Sequence, residues 1–237
     1  MHTEGVGMAA DFYGDLLAQK GPILKRLLDA AVKKGSPTVT EHHYQAGQLI
    51  FYAGNEPFGV YYIHHGVVKL LKSGKAGRLH ITYMGGAGDL FGYRALLAGE
   101  LYKVTAESHH STKVSFIKKE FFLEHLRKDR ELSHLLLKLL SVELGDVEDR
   151  LVGAAQVSAE QRVARVLCFL VRTYGLEQSG RLRIELSRTD MSELSDTASE
   201  TLIRCLADLE QRALIARDKE GLRILDLEAL VQEAGQA

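Results

Sequence analysis

The chain is 237 residues long, 46% hydrophobic and 26% charged, which suits a globular protein of one large domain or two small ones. Its formal net charge is −1, and positions 155–237 hold 11 Lys and Arg against 14 Asp and Glu. This excludes a chain that binds nucleic acid through bulk basic charge, so any DNA contact must come from local placement of charge. Two cysteines, Cys168 and Cys205, sit in helical patterns at positions that suit a small apolar residue. They are too few for a typical iron–sulfur cluster and provide no disulfide framework, which agrees with a reducing cytoplasm. Met1–Ala10 has neither a charged n-region nor an apolar h-region, and no apolar run approaches the roughly 18 residues that span a bilayer. The expectation is a soluble cytoplasmic protein with no membrane partner.

Residues 1–37 read as an N-terminal helical segment. Ile23, Leu24, Leu27, Leu28, Ala31 and Val32 recur with helical spacing, and Gly35-Ser36-Pro37 ends the pattern. From Thr38 to about 118 the pattern becomes β-rich. Val60-Tyr61-Tyr62-Ile63, Gly66–Leu71 and Leu79–Tyr83 alternate with turns, and 11 of the 22 glycines fall between Gly47 and Gly99. Short strands with dense turns predict a small antiparallel barrel or jelly roll.

Helix returns over 119–154. Leu136, Leu140, Leu144, Val147, Leu151 and Ala154 step by three or four, an apolar stripe bordered by Glu143, Asp146, Glu148, Asp149 and Arg150. A stripe this narrow predicts a dimer seam, with packing on the chain's own roll as the alternative. Ala154–Ser158 is the expected hinge. Residues 155–237 then read as helix, strand (Arg181–Leu186), two helices and a hairpin in which Asp218–Gly221 joins Leu214–Arg217 to Leu222–Leu225. That order predicts a winged helix, and the whole chain an α+β protein.

Leu186–Ile215 is the most informative segment. Ser187 can cap a helix with Asp190 answering it three residues on, and Met191 and Leu194 face inward. Asp196-Thr197-Ala198 makes a turn, after which Thr197 or Ser199 can cap a second helix. There Leu202, Leu206 and Leu209 face the core while Glu200, Thr201 and Arg204 face out. Glu200 can accept from a cytosine amino group and Arg204 can donate twice to guanine. Four residues apart, they can equally form an ordinary surface salt bridge.

Leu186-Ser187-Arg188, Met191, Leu194, Glu200-Thr201-Leu202-Ile203-Arg204, Leu206, Leu209 and Leu214-Ile215 together resemble the helix-turn-helix of the cyclic-AMP receptor / fumarate-nitrate regulator (Crp/Fnr) family. Gly88-Asp89-Leu90-Phe91-Gly92, Thr105-Ala106, the long helix and Arg162-Val163-Ala164 extend the resemblance over about 38–226. It implies a cyclic-nucleotide-binding-like β-roll, a long dimerisation helix and a winged helix. It further implies base reading by Glu200, Arg204 and Ser199, and phosphate contacts from Ser187, Arg188 and Thr201. The partners implied are double-stranded promoter DNA, a second copy of the chain and RNA polymerase. Two positions depart from the pattern. Ser199 replaces an arginine of the cyclic-AMP-type members, and Asp196 replaces the usual turn glycine.

The sensor side departs further. Gly92 is kept, but Tyr93 stands where the resemblance places a ribose-binding glutamate and Val104 where it places a phosphate-binding arginine; Lys103 is one place early, and Thr105 stands for a serine. Losing charge-assisted hydrogen bonds of about 1.5–3 kcal/mol each argues against cyclic AMP. Gly92, Tyr93, Arg94, Lys103, Thr105 and His80 mark the expected effector pocket, with the effector itself unidentified. Haem is one alternative, since gas-sensing members use a histidine in the roll and His80 lies in an alternating strand. Arg94 can bind an anionic effector, pair with Glu100 or meet a partner's stripe helix. The adjacent pairs His42-His43, His64-His65 and His109-His110 have poor chelating geometry, because strand neighbours point to opposite faces. No nucleophile–base set, phosphate loop or metal-ligand spacing suggests an enzyme. A winged helix that contacts protein instead of DNA is the remaining alternative.

Overall fold

The computed structural model describes residues 20–34, 38–74, 79–153 and 157–235. Two compact units account for them. One runs to Asp149 without Leu79–Ile81; the other takes that tripeptide and everything from Arg150.

Helix α1, described over 20–34, buries Leu24, Leu27, Leu28 and Ala31 of the predicted apolar face, while Ile23 is partly buried and Val32 is exposed. The terminator at 35–37 lies outside the described residues. Eight strands follow: β1 (Val39–Tyr44), β2 (Leu49–Phe51), β3 (Gly59–His65), β4 (Val68–Ser73), β5 (Leu79–Gly85), β6 (Leu90–Phe91), β7 (Thr105–Ser108) and β8 (Thr112–Lys118). They form two four-stranded sheets, ordered β1-β8-β3-β6 and β2-β7-β4-β5. Each registered pair is antiparallel, as in β3 with β8, where Val60 lies opposite Ile117 and Ile63 opposite Val114. The inward residues Phe51, Ile63, Val68, Phe91, Tyr102, Ala106 and Val114 make one core cluster. Gly59 is needed where β3 passes β8, because a Cβ there would lie 2.2 Å from the Ile117 carbonyl oxygen.

Short helix α2 (Tyr93–Ala98) interrupts the strands, and α3 (Lys119–Lys128) and α4 (Arg130–Gly153) follow them. At 24 residues α4 is about 36 Å long. Its first turns complete a second cluster, in which Leu132, Leu135 and Leu136 join Leu24, Leu27, Phe122, Val60 and Ile117.

The second unit contains α5 (Ala159–Tyr174), α6 (Arg188–Leu194), α7 (Ser199–Gln211), the hairpin β9 (Ile215–Asp218) and β10 (Gly221–Ile224), and α8 (Leu227–Glu233). The hairpin closes through Lys219-Glu220, with Asp218 registered on Gly221. The strand expected over Arg181–Leu186 is not formed. Leu182 and Ile184 are buried with the predicted alternation, but the segment makes only the isolated bridges Arg181–Arg223 and Leu176–Leu182. The reason is the short hairpin edge beside it: four-residue β10 offers hydrogen bonds only around Gly180–Leu182. Cys168 and Cys205 are both buried at 9% exposure, and burial raises the Cys168 thiol to about 11.

Candidate nucleic-acid interface and sensor site

Ser187 and Asp190 form the predicted capping box. Ser187 Oγ accepts from the Asp190 amide at 3.0 Å and donates to the buried Asp190 carboxylate, whose oxygen also takes the Ser187 amide. The exchange fixes the first turn of α6 and leaves Ser187 and Arg188 exposed at its start. Met191 is buried and Leu194 half-buried.

The turn that follows is internally bonded. Ser195 Oγ donates to the Met191 carbonyl at 2.7 Å and lies 2.8 Å from Thr197 Oγ1, and both side chains are buried. Asp196 adopts φ 48°, the left-handed conformation that its short polar side chain tolerates where glycine would sit without cost. The cap expected from Thr197 or Ser199 is not made. Ala198 is the N-cap of α7, and its methyl side chain has no oxygen to offer the first turn, while the Thr197 hydroxyl lies against Ser195 Oγ.

Helix α7 buries Leu202, Cys205, Leu206 and Leu209 and leaves Ser199, Glu200 and Arg204 exposed, with Thr201 between. Arg204 donates to Thr201 Oγ1 at 3.4 Å, and among the described residues no ion pair joins it to Glu200. Their outward functional groups are therefore not consumed by each other. Hydrogen bonding across the i,i+4 pair, one reading of the sequence, does not occur. At the hairpin, Arg223 pairs with Asp218 at 3.3 Å, and Arg181 from the preceding segment pairs with Glu220.

Two family models match this architecture: a cyclic nucleotide-binding domain over residues 41–129 and a Crp-like helix-turn-helix domain over 161–233. The chain belongs to the Crp/Fnr family. The transcriptional activator protein Anr of Pseudomonas aeruginosa is 28% identical over 214 residues, 88% of this chain and 83% of that protein. The structure of FixK2 from Bradyrhizobium japonicum aligns with a TM-score of 0.71 at 25% identity, covering 82% of this chain and 96% of that one. A CRP-family transcriptional regulator of Thermus thermophilus aligns with a TM-score of 0.66 at 28% identity, covering 83% and 97%. The Crp/Fnr chain described here is thus a regulator of the transcription-factor type carrying a DNA-binding helix-turn-helix. Among its described residues no helix is long and apolar enough to cross a membrane.

The expected sensor positions of this Crp/Fnr protein each make their own contacts. Gly92 (φ 86°) caps the start of α2. Tyr93 is buried and donates to Glu143 Oε1 on α4 at 2.7 Å, while Arg94 Nε lies 3.5 Å from Glu143 Oε2. Burial, followed by the nearby Glu143 carboxylate, holds the Tyr93 hydroxyl far above the ordinary tyrosine range. Arg94 therefore meets its own long helix instead of Glu100, and Glu100 pairs with Lys103 at 2.5 Å. Thr105 Oγ1 accepts from the Ala53 amide at 3.1 Å. His80 is half-buried on β5. Glu143 was placed by sequence only as a polar border of the stripe. Its one available signal was a carboxylate standing where a helix turns from buried to exposed leucines.

Inside the roll, Phe51 stacks on Tyr102 at 3.7 Å between centroids and Tyr61 on Phe91 at 5.0 Å. Asp89 accepts from the Gly86 amide at 2.8 Å and from Tyr83 at 3.1 Å, and pairs with Lys20. His64 lies 2.7 Å from Ser115 Oγ and His42 2.8 Å from Thr40 Oγ1, and no cluster of three potential metal ligands occurs among the described residues.

The stripe helix is sorted differently from its sequence pattern. Leu136 is 2% exposed and belongs to the roll core, whereas Leu137 is 63% exposed. Three consecutive leucines, 135–137, spread apolar groups over more than half of this turn, so spacing alone could not choose between the last two. Leu144 and Val147 are 59% and 46% exposed, and Leu140 is partly buried. The side chain of Leu151, and Ala154, lie outside the described residues.

Proposed function

We propose that this Crp/Fnr regulator binds a two-fold-related promoter site as a dimer and responds to an effector other than cyclic AMP. The observation that carries the reading is the outward face of α7: Ser199, Glu200 and Arg204 exposed in its first half, above a buried leucine row. In a helix-turn-helix this half of the second helix enters the major groove. Glu200 and Arg204 then read base edges, with Ser199 adjacent, while Ser187, Arg188 and Thr201 hold phosphates. The seam runs along α4 through Leu137, Leu140, Leu144, Val147 and Leu151. These step by three, four, three and four, a heptad pattern that omits Leu136 and that the exposed side chains of Leu137, Leu144 and Val147 support.

Two features support the effector reading. Aromatic side chains occupy the roll interior, and Tyr93, at the position that would hold a ribose, is already committed to Glu143. Contact of the bound dimer with RNA polymerase remains part of the proposal. The test is retardation of random-sequence duplex DNA by the purified chain, with and without cell extract, across a salt series. The proposal requires binding that weakens steeply with salt through counterion release. Absence of any retained DNA under both conditions would contradict it and favour a winged helix that contacts protein.

A further inference from the structure

Between α6 and α7 the chain turns through a left-handed non-glycine residue, and a side chain from a third helix reaches its backbone. The start of α5 is fixed by a second capping box, Ser158 with Gln161. The next residue, Arg162, spreads its guanidinium over three backbone carbonyls. Nε donates to Ser195 at 3.0 Å, Nη1 to Val157 at 3.0 Å and Nη2 to Asp196 at 3.4 Å. Ser195 and Asp196 are the turn residues, and Asp196 is the one at φ 48°. A planar fork with five donors and no acceptor suits several carbonyls at once; an ammonium group on a flexible stem does not.

We propose that Arg162 is a positioning residue of the DNA-reading unit: its guanidinium secures the left-handed turn at Asp196 and thereby sets the orientation of α7. The inference rests on reading α7 as the DNA-contacting helix. It explains how a non-glycine residue is kept in a conformation that L side chains rarely adopt. The buried Ser195–Thr197 pair holds the turn from inside, and Arg162 holds it by its carbonyls from outside. Because the guanidinium is engaged by the protein, it acts through the turn and not as a phosphate ligand.

The test is a cycle of four full-length proteins: parent, Arg162→Lys, Asp196→Gly and the double variant. Each is titrated with a duplex selected by the parent chain from random sequence, at several salt concentrations. Arg162→Lys keeps the charge but not the fork. It should weaken binding by about tenfold or more, with the salt slope unchanged. Asp196→Gly relieves the strained φ, so in that background the lysine should cost only about threefold. Equal losses in both backgrounds, or affinity equal to the parent's, would overturn the proposal. In Arg162→Gln, a salt slope lower by about one would also overturn it, since that marks a phosphate contact. Amide hydrogen exchange on the free proteins gives an independent readout. Arg162→Lys should speed exchange over 195–201 relative to α5, and unchanged protection there counts against the proposal even if the parent selects no DNA.

Discussion

Tyr93→Phe removes one oxygen atom from a buried contact between the roll and its long helix. The hydroxyl donates to Glu143 Oε1 at 2.7 Å, and Glu143 Oε2 is buried with no hydrogen-bond partner, Arg94 Nε standing 3.5 Å away. A hydrogen bond to a charged group contributes about 1.5–3 kcal/mol net. Because the Glu143 side chain is 31% exposed, water can replace part of the loss, so the lower end, about 1–2 kcal/mol, is expected. For a unit of this size that corresponds to a melting temperature lower by roughly 3–8 °C. Circular dichroism on Tyr93→Phe, Glu143→Ala and the double variant isolates the pair. In the Glu143→Ala background the tyrosine substitution should cost less than about 0.5 kcal/mol. If Tyr93→Phe melts with the parent, or costs the same in both backgrounds, the contact does not join α2 to α4 energetically and the reasoning fails.

Three further outcomes follow from the same geometry. Leu144→Glu should convert a dimer to a monomer in sedimentation while leaving the melting temperature of the roll intact, since Leu144 is 59% exposed in the single chain. Leu136→Ala should instead cost about 2–5 kcal/mol of stability, because that side chain is 2% exposed in the core. Tyr61 has its hydroxyl pushed up to about 12 by burial, with Tyr44 adding a smaller effect. Its folded value lies above the unfolded one near 10, so its contribution is complete below pH 10 and is lost as pH rises towards 12. Tyr61→Phe should flatten that part of the alkaline unfolding profile, and an unchanged profile would show that the ring titrates as it does in water.

Much of the DNA-reading unit was legible because its signals are local. Ser187 and Asp190 are three apart, the α7 leucines keep helical spacing, and Asp is one of the few residues that accepts the turn's left-handed φ. The misses come from competition among partners that only three dimensions reveal. Thr197 looked like a cap, but the helix starts one residue later, with Ala198 as N-cap and the Thr197 hydroxyl against Ser195. Arg181–Leu186 alternates like a strand, yet the edge beside it is too short to pair with it. Leu136 and Leu137 are adjacent and equally apolar, and only the position of α1 and α3 decides which is buried. The contacts of Glu143 with Tyr93 and of Arg162 with Ser195 could not be read locally, since those partners lie 50 and 33 residues away in sequence.

The most direct measurement is selection from random duplex DNA by the parent chain and by Arg204→Ala, followed by comparison of the two enriched motifs. If α7 reads bases through its outward face, the parent yields a two-fold-related motif with half-sites about one helical turn apart. Arg204→Ala should lose about 1–3 kcal/mol and its preference at one base pair in each half-site, keeping the rest. The same motif from both proteins would contradict the assignment of that face as the one that reads DNA.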